Sequence, residues 1–334
     1  MSKKGGNIMA NEKNVTSSAK TMTDNTAAKA NGSATAPASL TYRKRRRRLG
    51  DRKDGRKLRT IEPMHRLMPY IMARRSDALN TFYDRIEISN ADEMCRRKIR
   101  EGKTSFGLLH VMLAAYVRTI SQRPGINRFI SGQKIYARNS ISVVMTVKKE
   151  LSLNAPETVI KVDFAPGDTV DDVYEKFNTT VKAAIDSLDK PTAFDRLAKL
   201  LAFIPGVLLR WTVKFLNALD YWGWLPKSLL QLSPFHGTMV ITSMGSLGIN
   251  PIYHHIYDFG NLPVFISYGT KKSVYEYDRK GNLEKCRYID IKAVTDERIC
   301  DGHYFASAFK LYKKFIERPD ALEEPPLSVV EDID

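Results

Sequence analysis

Residues 105–124, SFGLLHVMLAAYVRTISQRP, form a helix-length run that is apolar nearly all round and stops before Pro124. A helix without a polar face has no stable place at a surface and needs neighbours to cover it on every side. With 43% hydrophobic residues in 334, the chain has ample material for that core. The covering elements can be read on both sides of it. A strand is expected around Phe82–Ile88, leading into a helix capped by Ser89 or Asn90. ISVVMTVKKELSL and TVIKVDF read as strands, and TVDDVYEKFNTTVKAAIDSL as an amphipathic helix capped by Thr169. GTMVITSMG, LPVFISYGT, SVYEYD and RYIDIKAVTD are β-rich, and DGHYFASAFKLYKKFIERP reads as a final helix ending at Pro319. Strands and helices mix without strict alternation, which predicts an α+β sandwich rather than a doubly wound sheet.

The formal net charge of +16 is unevenly placed. Residues 1–60 hold 16 Lys and Arg against 4 Asp and Glu, while the rest of the chain holds 37 against 33. Residues 1 to about 40 are rich in Ala, Ser, Thr, Asn and Lys and lack the apolar surface needed to order themselves. The basic run YRKRRRRLGDRKDGRKLR follows. The expected organisation is a disordered basic tail over 1–59, a folded body over 60–325 and an acidic tail over 326–334. The basic run suits an anionic membrane surface, or a solvated linker. It interleaves no aromatics as a base-stacking surface would, so nucleic acid is the weaker reading.

Cys95, Cys286 and Cys300 are too widely spaced for a disulfide framework, and no spacing of His, Cys, Asp and Glu resembles a metal site. The first twenty residues hold no signal-peptide core, and no run reaches the roughly 18 apolar residues of a spanning helix. A cytoplasmic protein is expected, peripheral if it meets a membrane. The segment at about 190–234 supplies the reason it would. It is rich in Leu and Phe, holds all three tryptophans (Trp211, Trp222, Trp224), and places Arg210, Lys214 and Asn217 on one polar stripe. That pattern fits a helix in a membrane interface, or one packed against its own protein or a partner subunit.

In this order, the body resembles the catalytic domain of the dihydrolipoamide acyltransferases of 2-oxo acid dehydrogenase complexes, which share a fold with chloramphenicol acetyltransferase. FGLLHVMLAAYVRTISQRPGINRFI looks like that family's first core helix and its Pro-x-x-Asn turn. GTMVITSMGSLGI resembles its glycine-punctuated strand and turn, and TDERICDGHYFASAFKLYKKFIERPDAL its closing Asp-His-Arg-x-x-Asp-Gly segment and last helix. The resemblance covers about residues 60–325. It implies a two-layer sandwich with a mixed sheet and packed helices, a homotrimer with sites between subunits, and acyl-coenzyme A as donor. It also implies a histidine base, a hydroxyl that holds the tetrahedral oxyanion, and an Asp that fixes its loop through an arginine. Position by position, Asp301 and Gly302 match the loop-fixing pair, Arg298 the motif arginine, and Thr242 the oxyanion hydroxyl, with Ser243 beside it.

Glu297 falls on the family's histidine. An ordinary Glu is a weaker base than His by roughly two pKa units, and burial in an apolar channel would narrow that gap. His303, two positions after Asp301, is the other candidate base. The dehydrogenase-complex role is doubtful, because nothing in residues 1–60 could form a lipoyl domain. Two readings stand. One is an acyltransferase acting on a small or lipid-linked thiol, hydroxyl or amine. The other is a catalytically inactive trimeric scaffold in which Glu297 only pairs with Arg298 or another cation.

Overall fold

A computed structural model describes residues 40–43, 45–148, 157–186 and 202–334. The expected disordered stretch 1–39 and the first part of the 190–234 segment lie outside these residues. Ten strands and seven α-helices are present among them. The strands are β1 (Gly55–Lys57), β2 (Leu79–Glu87), β3 (Arg128–Ser131), β4 (Lys134–Arg138), β5 (Ile141–Lys148), β6 (Glu157–Phe164), β7 (Met239–Ser243), β8 (Val264–Tyr268), β9 (Lys272–Tyr277) and β10 (Leu283–Asp296). The helices are α1 (Pro63–Ile71), α2 (Ser89–Arg100), α3 (Leu108–Gln122), α4 (Val170–Asp186), α5 (Gly206–Tyr221), α6 (Lys227–Leu232) and α7 (Gly302–Glu317).

Seven strands form one mixed sheet in the order β2-β10-β8-β7-β5-β6, with β9 added to β10. The β5–β7 and β7–β8 pairs are parallel and the others antiparallel. A mixed sheet with helices laid on it is an α+β sandwich. Period-2 alternation sends Met239 and Ile241 of β7, Val264 and Ile266 of β8, and Ile289, Ile291 and Ala293 of β10 into the core. There they meet α3, which is buried along almost its whole length. Its apolar circumference is covered by α4 and α7, and it shares one core with the inward residues of the sheet. The opposite face of β8 is covered by the chain after β7. His254 stacks on Phe265 with ring centroids 4.2 Å apart, and Ser267 Oγ donates to the Ile252 carbonyl at 2.5 Å.

The Pro-x-x-Asn turn is a fastener. Asn127 Nδ2 donates to Ser140 O at 3.1 Å, Thr238 Oγ1 donates to Asn127 Oδ1 at 2.7 Å, and the Ser142 amide donates to Thr238 Oγ1 at 2.9 Å. Three separate segments are tied at the entry to β5 and β7. Thr169 caps α4 as expected, exchanging hydrogen bonds with Asp172. Ser89 does not cap α2. It is the first helical residue, and its hydroxyl accepts from the Arg287 amide instead.

The basic segment departs most from expectation. Residues 45–59 are not a free tail. β1 pairs with β4 in a small sheet ordered β1-β4-β3, and Arg52 is buried between Asp54 (2.9 Å) and Asp220 (2.6 Å). The acidic end of the chain is not free either. Asp332 takes both arms of Arg128 at 2.8 and 2.6 Å, and Asp334 pairs with Arg45, Arg48 and Arg56. The Asp334 carbonyl accepts from the Arg59 and Thr60 amides. Each segment supplies the counter-charge that lets the other order.

Candidate active site

The motif segment begins where β10 ends. Thr295 and Asp296 are buried, and the chain then makes a single tight turn over Glu297–Ile299. Asp296 caps that turn by accepting from the Arg298 amide at 3.2 Å. Arg298 returns on the same carboxylate with a two-pronged contact, Nε and Nη2 both at 2.8 Å, and also donates to the Met72 and Ala73 carbonyls. Arg75 adds a second guanidinium to Asp296 at 3.3 Å and donates to the Tyr257 and Gly260 carbonyls. All three charged side chains are buried. A carboxylate between two hydrogen-bonded guanidinia is well compensated, and removing Asp296 would leave two buried guanidinia without their counter-charge.

This pairing corrects the expectation for Asp301. Arg298 is held by Asp296, not by Asp301. Asp301 is the N-cap of α7, accepting from the Tyr304 amide at 2.7 Å, and it is exposed. Gly302 opens the helix, where an added Cβ would meet nothing within 4 Å. His303 is exposed on the first turn. Glu297 is fixed through its backbone, its amide donating to Ala78 O at 2.9 Å, while its side chain projects to solvent. No hydrogen bond or ion pair reaches the Glu297 carboxylate among the described residues. The buried apolar channel imagined for it is not formed within a single chain.

Thr242 and Ser243 point to opposite sides of β7. The Thr242 hydroxyl lies on the face away from the helices and has no hydrogen bond among the described residues. The Ser243 hydroxyl is engaged, accepting from the Ser246 amide at 3.3 Å. Thr242 therefore has the available donor. The register puts Thr242 opposite Ser267, and Ser267 opposite Lys292, five positions before Glu297. At about 3.3 Å per residue and about 4.8 Å per strand, Thr242 and Glu297 of one chain lie on the order of 18 Å apart. One chain does not bring them together.

Two features escaped the sequence reading. His65, on α1, approaches the motif from across the fold, with Nε2 4.0 Å from Asp301 Oδ2 and Nδ1 3.6 Å from Glu62. The second is a buried polar cluster joining Arg52, Asp54, Arg138, Asp220, His236 and Asn261 beside a cavity of about 580 Å³. Lys161 lines that cavity, its amine pushed down to about 8 by burial, and its Nζ donates to the Leu230 carbonyl at 2.8 Å. Burial likewise pushes Arg138 down to about 10 and lowers His236. Asp220 resists the effect of its own burial and is held at about 2 by His236 and Arg52. These groups come from six distant stretches of chain, so no local pattern announces them. A smaller cavity of about 280 Å³ lies beside Arg75 and Arg298, walled on its far side by Asn217 and Tyr221 of α5.

No protein-family model matches the chain, and no curated protein matches it in sequence. Solved structures do. A probable dihydrolipoamide acetyltransferase from Listeria monocytogenes is 11% identical with a TM-score of 0.49, over 79% of this chain and 95% of that one. The truncated catalytic core of the 2-oxoacid dehydrogenase multienzyme complex of Thermoplasma acidophilum is 12% identical with a TM-score of 0.48, over 79% and 99%. A chloramphenicol acetyltransferase is 14% identical with a TM-score of 0.45, over the same shares. The chain is similar in structure to acyltransferase catalytic cores of this kind, at very low sequence identity.

Proposed function

We propose that residues 60–325 form an acyltransferase domain that moves an acyl group from coenzyme A to a lipophilic thiol, hydroxyl or amine. The site would be shared between neighbouring copies in a homotrimer. The observation that carries this reading is that the Glu297 carboxylate is unspent. In an inactive scaffold, Glu297 would serve only to neutralise a cation, and Arg298 is the cation next to it. Asp296 already satisfies Arg298, so Glu297 has no partner among the described residues and is left at a surface by a tight turn. The separation of Glu297 from Thr242 within one chain fits a site completed by a second copy.

In this mechanism Glu297 takes the proton from the acceptor as it attacks the thioester carbonyl. The Thr242 hydroxyl of a neighbouring copy donates to the oxyanion that forms. Collapse of the tetrahedral intermediate breaks the carbon–sulfur bond, and the coenzyme A thiolate recovers the proton from Glu297. A positioned general base contributes roughly 10²–10⁴ in rate, and one oxyanion donor roughly 10²–10³.

The test is coenzyme A release from acyl-CoAs of increasing chain length, with and without a lipid extract as acceptor. Glu297→Gln is expected to lower turnover at least about 100-fold with folding unchanged, since the side chain supports nothing. A second reading rests on the His65–Asp301 approach, in which His65 is the base. Loss of turnover in His65→Gln with Glu297→Gln fully active would establish it. No release from any acyl-CoA would favour the scaffold.

A further inference from the structure

We propose that α5 is a docking face for an anionic lipid bilayer, lying in the headgroup region rather than crossing it. This inference concerns a surface apart from the reacting groups and stands whether or not the chain transfers acyl groups. No helix among the described residues is long and apolar enough to span a membrane, so only a surface mode is at issue.

The helix is held by one side. Leu209, Thr212, Leu216 and Leu219 are half-buried, spaced three and four apart, and share one side of the helix. Its C-terminal end is fixed by Arg52, which pairs with Asp220 at 2.6 Å, and by Tyr221 Oη, which donates to Gln133 Oε1 at 3.0 Å. With that side committed, the other cannot turn inward. It carries Val207, Trp211, Phe215 and Trp222, each more than 60% exposed, with Phe203 and Trp224 just beyond the two ends. Val207 to Trp222 spans about 22 Å of helix at 1.5 Å per residue. Exposed apolar surface of this extent marks an interaction site.

Charge decides the kind of partner. Arg210 and Lys214 flank the apolar stripe, with Lys214 Nζ 5.1 Å above the Trp211 ring, and Lys227 follows on α6. Asp220 is the sole acidic residue between 202 and 232, and it is buried against Arg52. The exposed side therefore carries apolar groups, cations and neutral Asn217, and no acidic group. Lys53 of the basic run donates to the Leu225 carbonyl at 3.1 Å, so that run is stapled to the same end of the helix. The core of a protein–protein interface is depleted in charge, whereas indoles beside lysine and arginine suit the interfacial layer of an anionic membrane.

All three tryptophans of the chain lie on or next to this face, so intrinsic fluorescence reports it directly. The full chain is titrated with phosphatidylcholine vesicles, with and without phosphatidylglycerol, and with lipids brominated along the acyl chain. The expected result is water-exposed emission in the free protein, a blue shift with anionic vesicles, and quenching by the brominated lipids. Arg210→Glu with Lys214→Glu should weaken binding at least about tenfold, because each cation near an anionic surface is worth about 1 kcal/mol. Trp211→Ser with Phe215→Ser should weaken it similarly, without change in thermal unfolding. An emission already blue-shifted without vesicles, together with a lower oligomeric state in the Trp211→Ser, Phe215→Ser variant by light scattering, would show that a second copy covers the face and overturn the proposal. Unshifted emission and no co-sedimentation with anionic vesicles would overturn it as well.

Discussion

Arg298 lies between two aspartates, and the one it pairs with decides what the other is free to do. Asp296 holds it, with Arg75 as second partner, so Asp301 becomes a helix cap. Asp296→Asn should therefore cost about 3–5 kcal/mol in denaturant unfolding, because it leaves two buried guanidinia without their counter-charge. Asp301→Asn should be close to wild type, since Asn caps as well as Asp, while Asp301→Ala should cost about 1 kcal/mol. Aspartates two before and three after the arginine are both plausible partners from spacing alone. The choice is made by Arg75, more than two hundred residues earlier, which no local pattern could reveal. Lys161 gives a pH signature. Its amine is pushed down to about 8 by burial from an ordinary 10.5, so between those values the unfolded chain binds more protons than the folded one. The contribution of Lys161 to stability then rises with pH across about 8 to 10.5, by on the order of 3 kcal/mol at most. Unfolding midpoints measured across that range should show the rise as a difference between wild type and Lys161→Met, with the titration of the buried thiols and tyrosines common to both.

At the scale of elements, what was legible in the sequence followed periodicity. The all-apolar α3, the capped α4, the strands around Thr242 and Asp296 and the final α7 each carry a local pattern that long-range packing only confirms. The ordering of residues 45–59 carried none. β1 has three residues, and its order comes from pairing with β4 and from acidic residues at the far end of the chain. The β3–β4 turn is where two elements depend on one residue. Gly132 and Gln133 both take positive φ, as a two-residue hairpin turn requires, and a Cβ on Gly132 would lie 2.4 Å from the Tyr221 carbonyl. Gly132→Ala should therefore cost roughly 1–3 kcal/mol and displace the end of α5, which tryptophan emission would register alongside the unfolding midpoint.

At the scale of the whole molecule, the net charge hides an internal match between a basic start and an acidic end. The acidic end is held in two ways: Asp332 makes a nearly buried, two-pronged pair with Arg128 of β3, whereas the pairs of Asp334 with Arg45 and Arg48 of the basic run are more open. Asp332→Ala should therefore destabilise the fold by about 3–5 kcal/mol, while added salt, which screens only the open pairs, should change the unfolding midpoint little. The site is the least legible feature of the sequence. Candidate residues could be named from motif positions, but the separation of Thr242 and Glu297 within one chain is a property of the register. The most direct measurement is therefore coenzyme A release by Glu297→Gln and Thr242→Val chains, each alone and then co-assembled. The account predicts that each variant alone loses at least about 100-fold and that the mixture regains activity, because some interfaces pair an intact Glu297 with an intact Thr242 from another copy. Full activity in Glu297→Gln alone, or two dead variants whose mixture stays dead despite verified co-assembly, would contradict it.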